Sequence, residues 1–275
     1  MLDTPPPRSH HATTPDGLSI AVREWGDPAG RPVLFIHGYA QSGLCWERQV
    51  ADPALTHLRL VTYDLRGHGA SSKPLDPPFY QEGRRWADEV AAIITQCALE
   101  RPVLAGWSYG GRIIGDYLTA FGASGLSGLV FVDAVTDSAR HFYGSCNHLM
   151  RMMADADPAT NIAGTRAFLK ACFHNPPEPD LYETQLAASM MAPSEVRAAM
   201  VRPANYGSVL SAVDVPALVI HGVEDQVIAP AMAEHIAACI PGARLEMIAG
   251  AGHAPFLECP AEFNALLAAF THAVT

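Results

Sequence analysis

Hydrophobic positions recur along this chain with two periods that take turns. Leu18, Ile20 and Val22 alternate with Ser19, Ala21 and Arg23 after an Asp16-Gly17 turn, which predicts a half-buried strand in a hairpin at a sheet edge. Pro32 to Ile36, Leu58 to Tyr63, Val103 to Ala105, Leu129 to Val132 and Ala217 to Ile220 are short, mainly apolar runs, the pattern of parallel strands covered on both faces. Arg244 to Ile248 predicts one strand more. Between the runs the spacing changes to that of a helix: Trp86, Val90, Ile93, Ile94 and Cys97 share one face, as do Ile113, Ile114, Tyr117, Leu118 and Phe121. Pro230 to Ile240 predicts another helix, and Phe263, Leu266, Leu267 and Phe270 give a closing one. Strand and helix in this order predict an α/β fold, with a mostly parallel sheet joined by right-handed crossovers and flanked by helices.

From about Ala134 to Ala212 the strand-like runs stop. Helical segments such as Arg140 to Ala154 and Thr165 to Phe173 are broken by Pro158, Pro176-Pro177, Pro179, Pro193 and Pro203. This predicts a helical insertion after the sixth strand that lies over the sheet. Met150, Met152, Met153, Met190, Met191 and Met200 fall in it; flexible thioether side chains suit an adaptable apolar surface, and the simpler expectation is that they pack the insertion onto the core.

Composition narrows the classes open to the chain. At 275 residues, 49% hydrophobic and 17% charged, it can build one large core or a core with a modest second unit. A formal net charge of −10 without a Lys/Arg cluster argues against nucleic acid or an anionic membrane surface as partner. Cys45, Cys97, Cys146, Cys172, Cys239 and Cys259 show neither C-x-x-C nor zinc-like spacing and read as free thiols in a reducing compartment. Met1 to Asp16 lacks an apolar stretch of the signal-peptide kind, and no apolar run reaches the ~18 residues of a membrane span. A cytoplasmic protein is expected, with His10-His11 in a solvated Pro-rich tail and no metal.

Chemistry concentrates around Gly106-Trp107-Ser108-Tyr109-Gly110-Gly111, a G-x-S-x-G sequence between a strand and a helix. A serine at such a turn is lifted clear of the sheet, and the helix directs its free N–H groups and positive end toward charge building up beside it. A serine hydroxyl at neutral pH needs a base to take its proton and an acid to orient that base. His253, in Gly250-Ala251-Gly252-His253 after the last strand, is the candidate base. His221, His235 and His272 read as structural or surface residues, and His37, Asp64, Arg66 and His68 as loop architecture. Asp225, after the penultimate strand, is the candidate acid, with Asp133 at the end of an earlier strand as its rival.

Ser108, Asp225 and His253 in that chain order, with His37-Gly38, the Asp64 to Gly69 loop followed by Ser71, and Val215 to Gly222, resemble the α/β-hydrolase superfamily from about Asp16 to Ala269. The resemblance is to its serine esterase and cofactor-free haloperoxidase-like branch. It implies a hydrolase core over residues 1–134 and 214–275, a helical lid over 135–213, no cofactor, and an oxyanion hole formed by the backbone N–H groups of Tyr39 and Tyr109. Haloalkane dehalogenases and epoxide hydrolases of this fold carry aspartate where this chain has Ser108, which disfavours both. Carboxylesterases, lactonases, haloperoxidase-like esterases and C–C bond hydrolases remain similar, as do non-turnover receptors that keep the triad. Tyr39, Trp107 and Tyr109 beside the nucleophile, and a Met-rich insertion above, predict an apolar substrate pocket, with Arg112 the one cation near the motif. The expected activity is hydrolysis of a small neutral ester or lactone through an acyl-enzyme.

Overall fold

The computed structural model describes residues 6–274. Strands β1 (Arg8–Thr13), β2 (Ser19–Gly26), β3 (Pro32–Ile36), β4 (Arg59–Tyr63), β5 (Val103–Trp107), β6 (Gly128–Val132), β7 (Ala217–Gly222) and β8 (Arg244–Ile248) form one sheet in the order β1-β2-β4-β3-β5-β6-β7-β8. β2 is antiparallel to β1 and β4, and every other pair is parallel. Every residue of β3, β5, β6 and β7 is buried, because helices cover both faces, and this is why those strands read as runs without alternation.

The edge hairpin exists, but its outer strand was not legible. Arg8–Thr13, expected to belong to a solvated tail, is β1, and His10 pairs with Val22 in the sheet. Only Ala12 of β1 is buried, so no apolar alternation announces it; charged and polar side chains suit an edge that must not recruit further strands. Residues 1–5 of the expected tail lie outside the described residues.

The helices follow in order: α1 (Glu47–Val50), α2 (Pro78–Gln81), α3 (Gly83–Gln96) and α4 (Tyr109–Phe121), then α5 (Leu149–Met153), α6 (Pro158–Ala171), α7 (Pro179–Met190), α8 (Ser194–Ala199) and α9 (Gly207–Leu210) between β6 and β7. α10 (Ala231–Cys239), α11 (Pro255–Glu258) and α12 (Pro260–Ala273) complete the chain. α3 buries Trp86, Val90 and Ile93, and α12 buries Phe263, Leu267 and Phe270. Each such side chain contributes roughly 1.5–3 kcal/mol through apolar burial. Among the described residues, no helix is long and apolar enough to cross a membrane.

Within the insertion the expected helix over Arg140 to Ala154 is broken. Two single 3-10 turns, Arg140–Phe142 and Ser145–His148, precede α5. Gly144 causes the break: its N–H donates to Val227 O at 2.9 Å, and a Cβ there would lie 1.9 Å from Gln226 O. The chain must therefore stay extended where it braces the loop after β7. α6, in contrast, starts earlier than Thr165, because Asp157 caps Thr160 N–H at 2.9 Å and Pro158 takes the first helical position.

Candidate active site

Parallel pairing brings the ends of β3, β5, β6, β7 and β8 to one edge of the sheet, where α/β proteins form their crevices. Ser108 stands at the end of β5 with φ 54° and ψ −111°, a conformation that a side chain rarely adopts. Its N–H donates to Val132 O at 2.9 Å, which fixes the turn against β6. Close packing imposes the flanking glycines: a Cβ on Gly106 would lie 2.7 Å from Gly110 backbone, and one on Gly110 would lie 2.6 Å from Ile36 O. α4 begins at the next residue.

Ser108, His253 and Asp225 meet in one hydrogen-bonded chain. His253 Nε2 lies 2.9 Å from Ser108 Oγ, and His253 Nδ1 lies 2.8 Å from Asp225 Oδ2. The histidine loop is pinned from two sides, since His253 N–H donates to Cys172 O at 2.8 Å and Trp107 Nε1 donates to His253 O at 2.7 Å. Asp225 Oδ1 accepts from Val227 N–H at 2.7 Å and Ile228 N–H at 3.0 Å. Burial works against the Asp225 charge, but the facing His253, His221 and the Ile228 amide outweigh it and hold the carboxyl below its ordinary range.

Asp133 is a close neighbour of this chain without a hydrogen bond to His253. Its Oδ1 accepts from Gly222 N–H at 2.9 Å, and complete burial together with the Asp225 charge pushes its carboxyl well above the ordinary range. His221 Nε2 lies 3.1 Å from Ile228 O, which makes that nitrogen the donor and leaves Nδ1 facing Asp133 Oδ1 at 3.5 Å. Burial lowers the His221 pKa, so the ring is neutral and the contact is no ion pair. Asp133, Asp225 and His253 offer donor atoms within 4.8 Å of one another, as do His10, Glu24 and Cys97. In the first group His253 Nδ1 and Asp225 Oδ2 already bond each other, and in the second Arg59 and Arg8 already hold Glu24 Oε2 at 2.7 and 3.3 Å.

Tyr39 follows β3, which lies beside β5 with Ile36 opposite Gly106. Among the described residues, the N–H groups of Tyr39 and Tyr109 donate to no backbone or side-chain acceptor. Ser108 and His253 open into a narrow cavity of about 10 Å³, roughly the room that one water needs, lined also by Tyr39, Trp107, Met153, Phe168 and Leu169. Wider hollows of about 450 to 590 Å³ are surface features away from Ser108.

The lining departs from the sequence reading at Tyr109 and at the methionines, while Arg112 leaves it without a cation. The Tyr109 ring turns away from the cavity: its hydroxyl donates to Met200 O at 3.0 Å, and the ring packs edge-on against Trp86, with Arg112 and Arg202 over its face. Arg112 likewise points elsewhere, bonding Arg202 O and, at 2.9 Å, Tyr143 Oη. Of the insertion's methionines Met153 reaches the cavity, whereas Met190 and Met191 are 39% and 50% exposed. Gln41, Cys172 and Ser189 line the cavity without having been singled out from sequence.

Residues 33–266 match the model of the Alpha/beta hydrolase family. A structure from Burkholderia cenocepacia assigned as an aryl esterase superposes with a TM-score of 0.93 at 40% identity, over 96% of this chain and 98% of that one. The esterase RhEst1 from Rhodococcus sp. ECU1013 superposes with a TM-score of 0.89 at 32% identity, over 97% and 99%. A non-heme haloperoxidase of Rhodococcus erythropolis is 25% identical over 88% of this chain and 91% of its own length.

Proposed function

This chain belongs to the alpha/beta hydrolase family, and on that premise we propose that it is a serine hydrolase that cleaves a small neutral carboxylic ester or lactone through an acyl-enzyme. The observation that carries the reading is the continuous path Ser108 Oγ, His253 Nε2, His253 Nδ1, Asp225 Oδ2, with separations of 2.9 and 2.8 Å. In it Asp225 accepts from Nδ1–H, which leaves Nε2 free to take the Ser108 proton as Oγ attacks the ester carbon. The oxyanion that forms meets the unpaired N–H groups of Tyr39 and Tyr109, and the positive end of α4 adds to the stabilisation. His253 then hands its proton to the leaving alcohol. Water repeats the cycle on the acyl-enzyme and restores Ser108.

The lining supports a neutral substrate. Trp107, Met153, Phe168 and Leu169 offer no cation to a substrate carboxylate, and burying an unpaired carboxylate among them is costly. Apolar burial gains roughly 0.8 kcal/mol per CH₂. Residues 135–213 act in this reading as the lid, which must move aside for an acyl group, because the site as it stands has room for about a water.

One experiment tests the whole reading. Wild-type protein should be labelled by a fluorophosphonate at Ser108 and should turn over p-nitrophenyl acetate, butyrate and octanoate many times per active site. Palmitate and a hemisuccinate ester should be slower, and Ser108→Ala should retain at most a residual ~10³–10⁴ over the uncatalysed rate. Equal labelling of Ser108→Ala would sink the nucleophile assignment. A single binding event without turnover would favour a receptor, and fastest cleavage of palmitate or hemisuccinate would overturn the substrate class. Peroxide in place of water at the second step would give a peracid from the same acyl-enzyme, a side activity that the likeness to the haloperoxidase supports.

A further inference from the structure

Gln41 is 2% exposed and lines the Ser108 cavity, and its amide is only half used. Nε2 donates to Gln185 O at 3.3 Å and to Ser189 Oγ at 2.9 Å, both on α7. A backbone carbonyl can only accept, so the nitrogen must face Gln185 and the amide cannot be turned over. Oε1 is thereby fixed as the other end of the group, buried and without a partner among the described residues. Ser189, itself fully buried, holds the amide from the lid side. Most of the surrounding cavity is apolar, made by Trp107, Met153, Phe168 and Leu169.

An acceptor in such a place is unusual, because buried polar atoms are nearly always paired and an unpaired one is costly. We propose that Gln41 Oε1 is the acceptor of an acyl-side subsite, and that the natural substrate carries a hydroxyl or amide N–H donor on its acyl portion. The inference rests on the ester-hydrolase reading. It assigns the space beside Ser108 to the acyl group because that group stays on Ser108 between the two steps while the alcohol departs. A donor-bearing acyl chain satisfies Oε1, whereas a plain hydrocarbon chain buries it unpaired. Sites built around a substrate hydrogen bond discriminate strongly against analogues that lack it.

The test uses p-nitrophenyl butyrate and p-nitrophenyl 3-hydroxybutyrate, which share a leaving group and differ by one hydroxyl. Calorimetric binding to Ser108→Ala measures recognition without turnover, and kcat/KM of the wild type measures it with turnover. The hydroxy ester should bind Ser108→Ala at least tenfold more tightly and be cleaved with at least tenfold higher kcat/KM. Both ratios should fall to within about twofold when Gln41→Met is added. Equal binding of the two esters to Ser108→Ala, binding of neither, or a preference that survives Gln41→Met overturns the inference. A clear binding preference in Ser108→Ala alongside no turnover by the wild type would instead leave the subsite standing and defeat the hydrolase reading. Because the Ser108→Ala comparison keeps Gln41, it decides the matter even where Gln41→Met does not fold.

Discussion

Asp133 and Asp225 follow neighbouring strands and are both buried, yet their surroundings shift their carboxyls in opposite directions. Asp225 collects two backbone N–H donors and a histidine, which favour its charge; Asp133 has one amide donor and a charged neighbour, which do not. Asp225→Asn should therefore lower kcat by about 10⁴, by analogy with acid-to-amide changes in serine triads, because an amide can present a donor to Nδ1 and turn the imidazole to the wrong tautomer. Asp133→Asn keeps a side-chain oxygen that accepts from Gly222 and disturbs no hydrogen bond of His253, so a loss of less than tenfold is expected. Steady-state kinetics of the two variants check this, and a larger loss at Asp133 would reverse the assignment. At this scale much was legible: Ser108, Asp225 and His253 each follow a strand in a Gly-containing loop, and position relative to the strands singles them out among many serines, aspartates and histidines. Gln41 was not, because the partners that fix its amide are 144 and 148 residues away on α7.

At the scale of elements, parallel strands and the place of the insertion announced themselves, and the breaks between the insertion's helices did not. A strand buried on both faces needs a continuous apolar run, whereas short helices packed on a hydrophobic floor need only scattered contacts, so Arg140 to Ala154 looked continuous and is not. What knits the insertion is a residue with no sequence signature. Arg197 of α8 is fully buried and donates to Met153 O at 2.9 Å, Asn161 Oδ1 at 3.0 Å, Thr165 Oγ1 at 2.9 Å and also Ser189 O, tying α5, α6, α7 and α8 together. Its own backbone carbonyl accepts from Tyr39 Oη at 3.2 Å, joining the insertion to the loop after β3. Arg197→Ala would leave these acceptors buried and unpaired, at about 1–3 kcal/mol for each that water cannot reach. Equilibrium urea unfolding should show a loss of about 1–3 kcal/mol, the cost of one such acceptor left unpaired where water enters the vacated space and reaches the others. Limited proteolysis should cut the variant first between residues 140 and 212. A loss below about 0.5 kcal/mol, or first cleavage in the core, would show that Arg197 does not hold the insertion.

For the whole molecule, the seam beneath the sheet edge that carries Ser108 contains two buried histidines whose behaviour bears on its stability in acid. His37 Nε2 accepts from Leu65 N–H at 2.9 Å while Nδ1 faces Gly38 O at 2.8 Å, so one ring joins the loop after β3 to the loop after β4 only when neutral. His68 packs edge-on to it, with ring centroids 5.2 Å apart. Burial lowers the His37 pKa from 6.5 to about 4, and burial followed by the His37 charge lowers that of His68 from 6.5 to about 3. Protonating His37 would also set a proton against Leu65 N–H. In the unfolded chain both rings take up protons near pH 6.5, well before the folded protein does, so the unfolded state binds more protons across this window and stability rises with pH through it. The contribution is complete above about pH 6.5 and is lost as the pH falls toward the folded-state values, at up to about 1.4 kcal/mol per pH unit for each ring. Unfolding free energies measured in urea at pH 7.5, 6.5, 5.5 and 5.0 should fall progressively below pH 6.5, while the imidazole resonances of His37 in the folded protein stay neutral by NMR at pH 5. Stability that stays flat or increases from pH 7 to pH 5, or a His37 ring that titrates near 6.5 in the folded state, would refute the account.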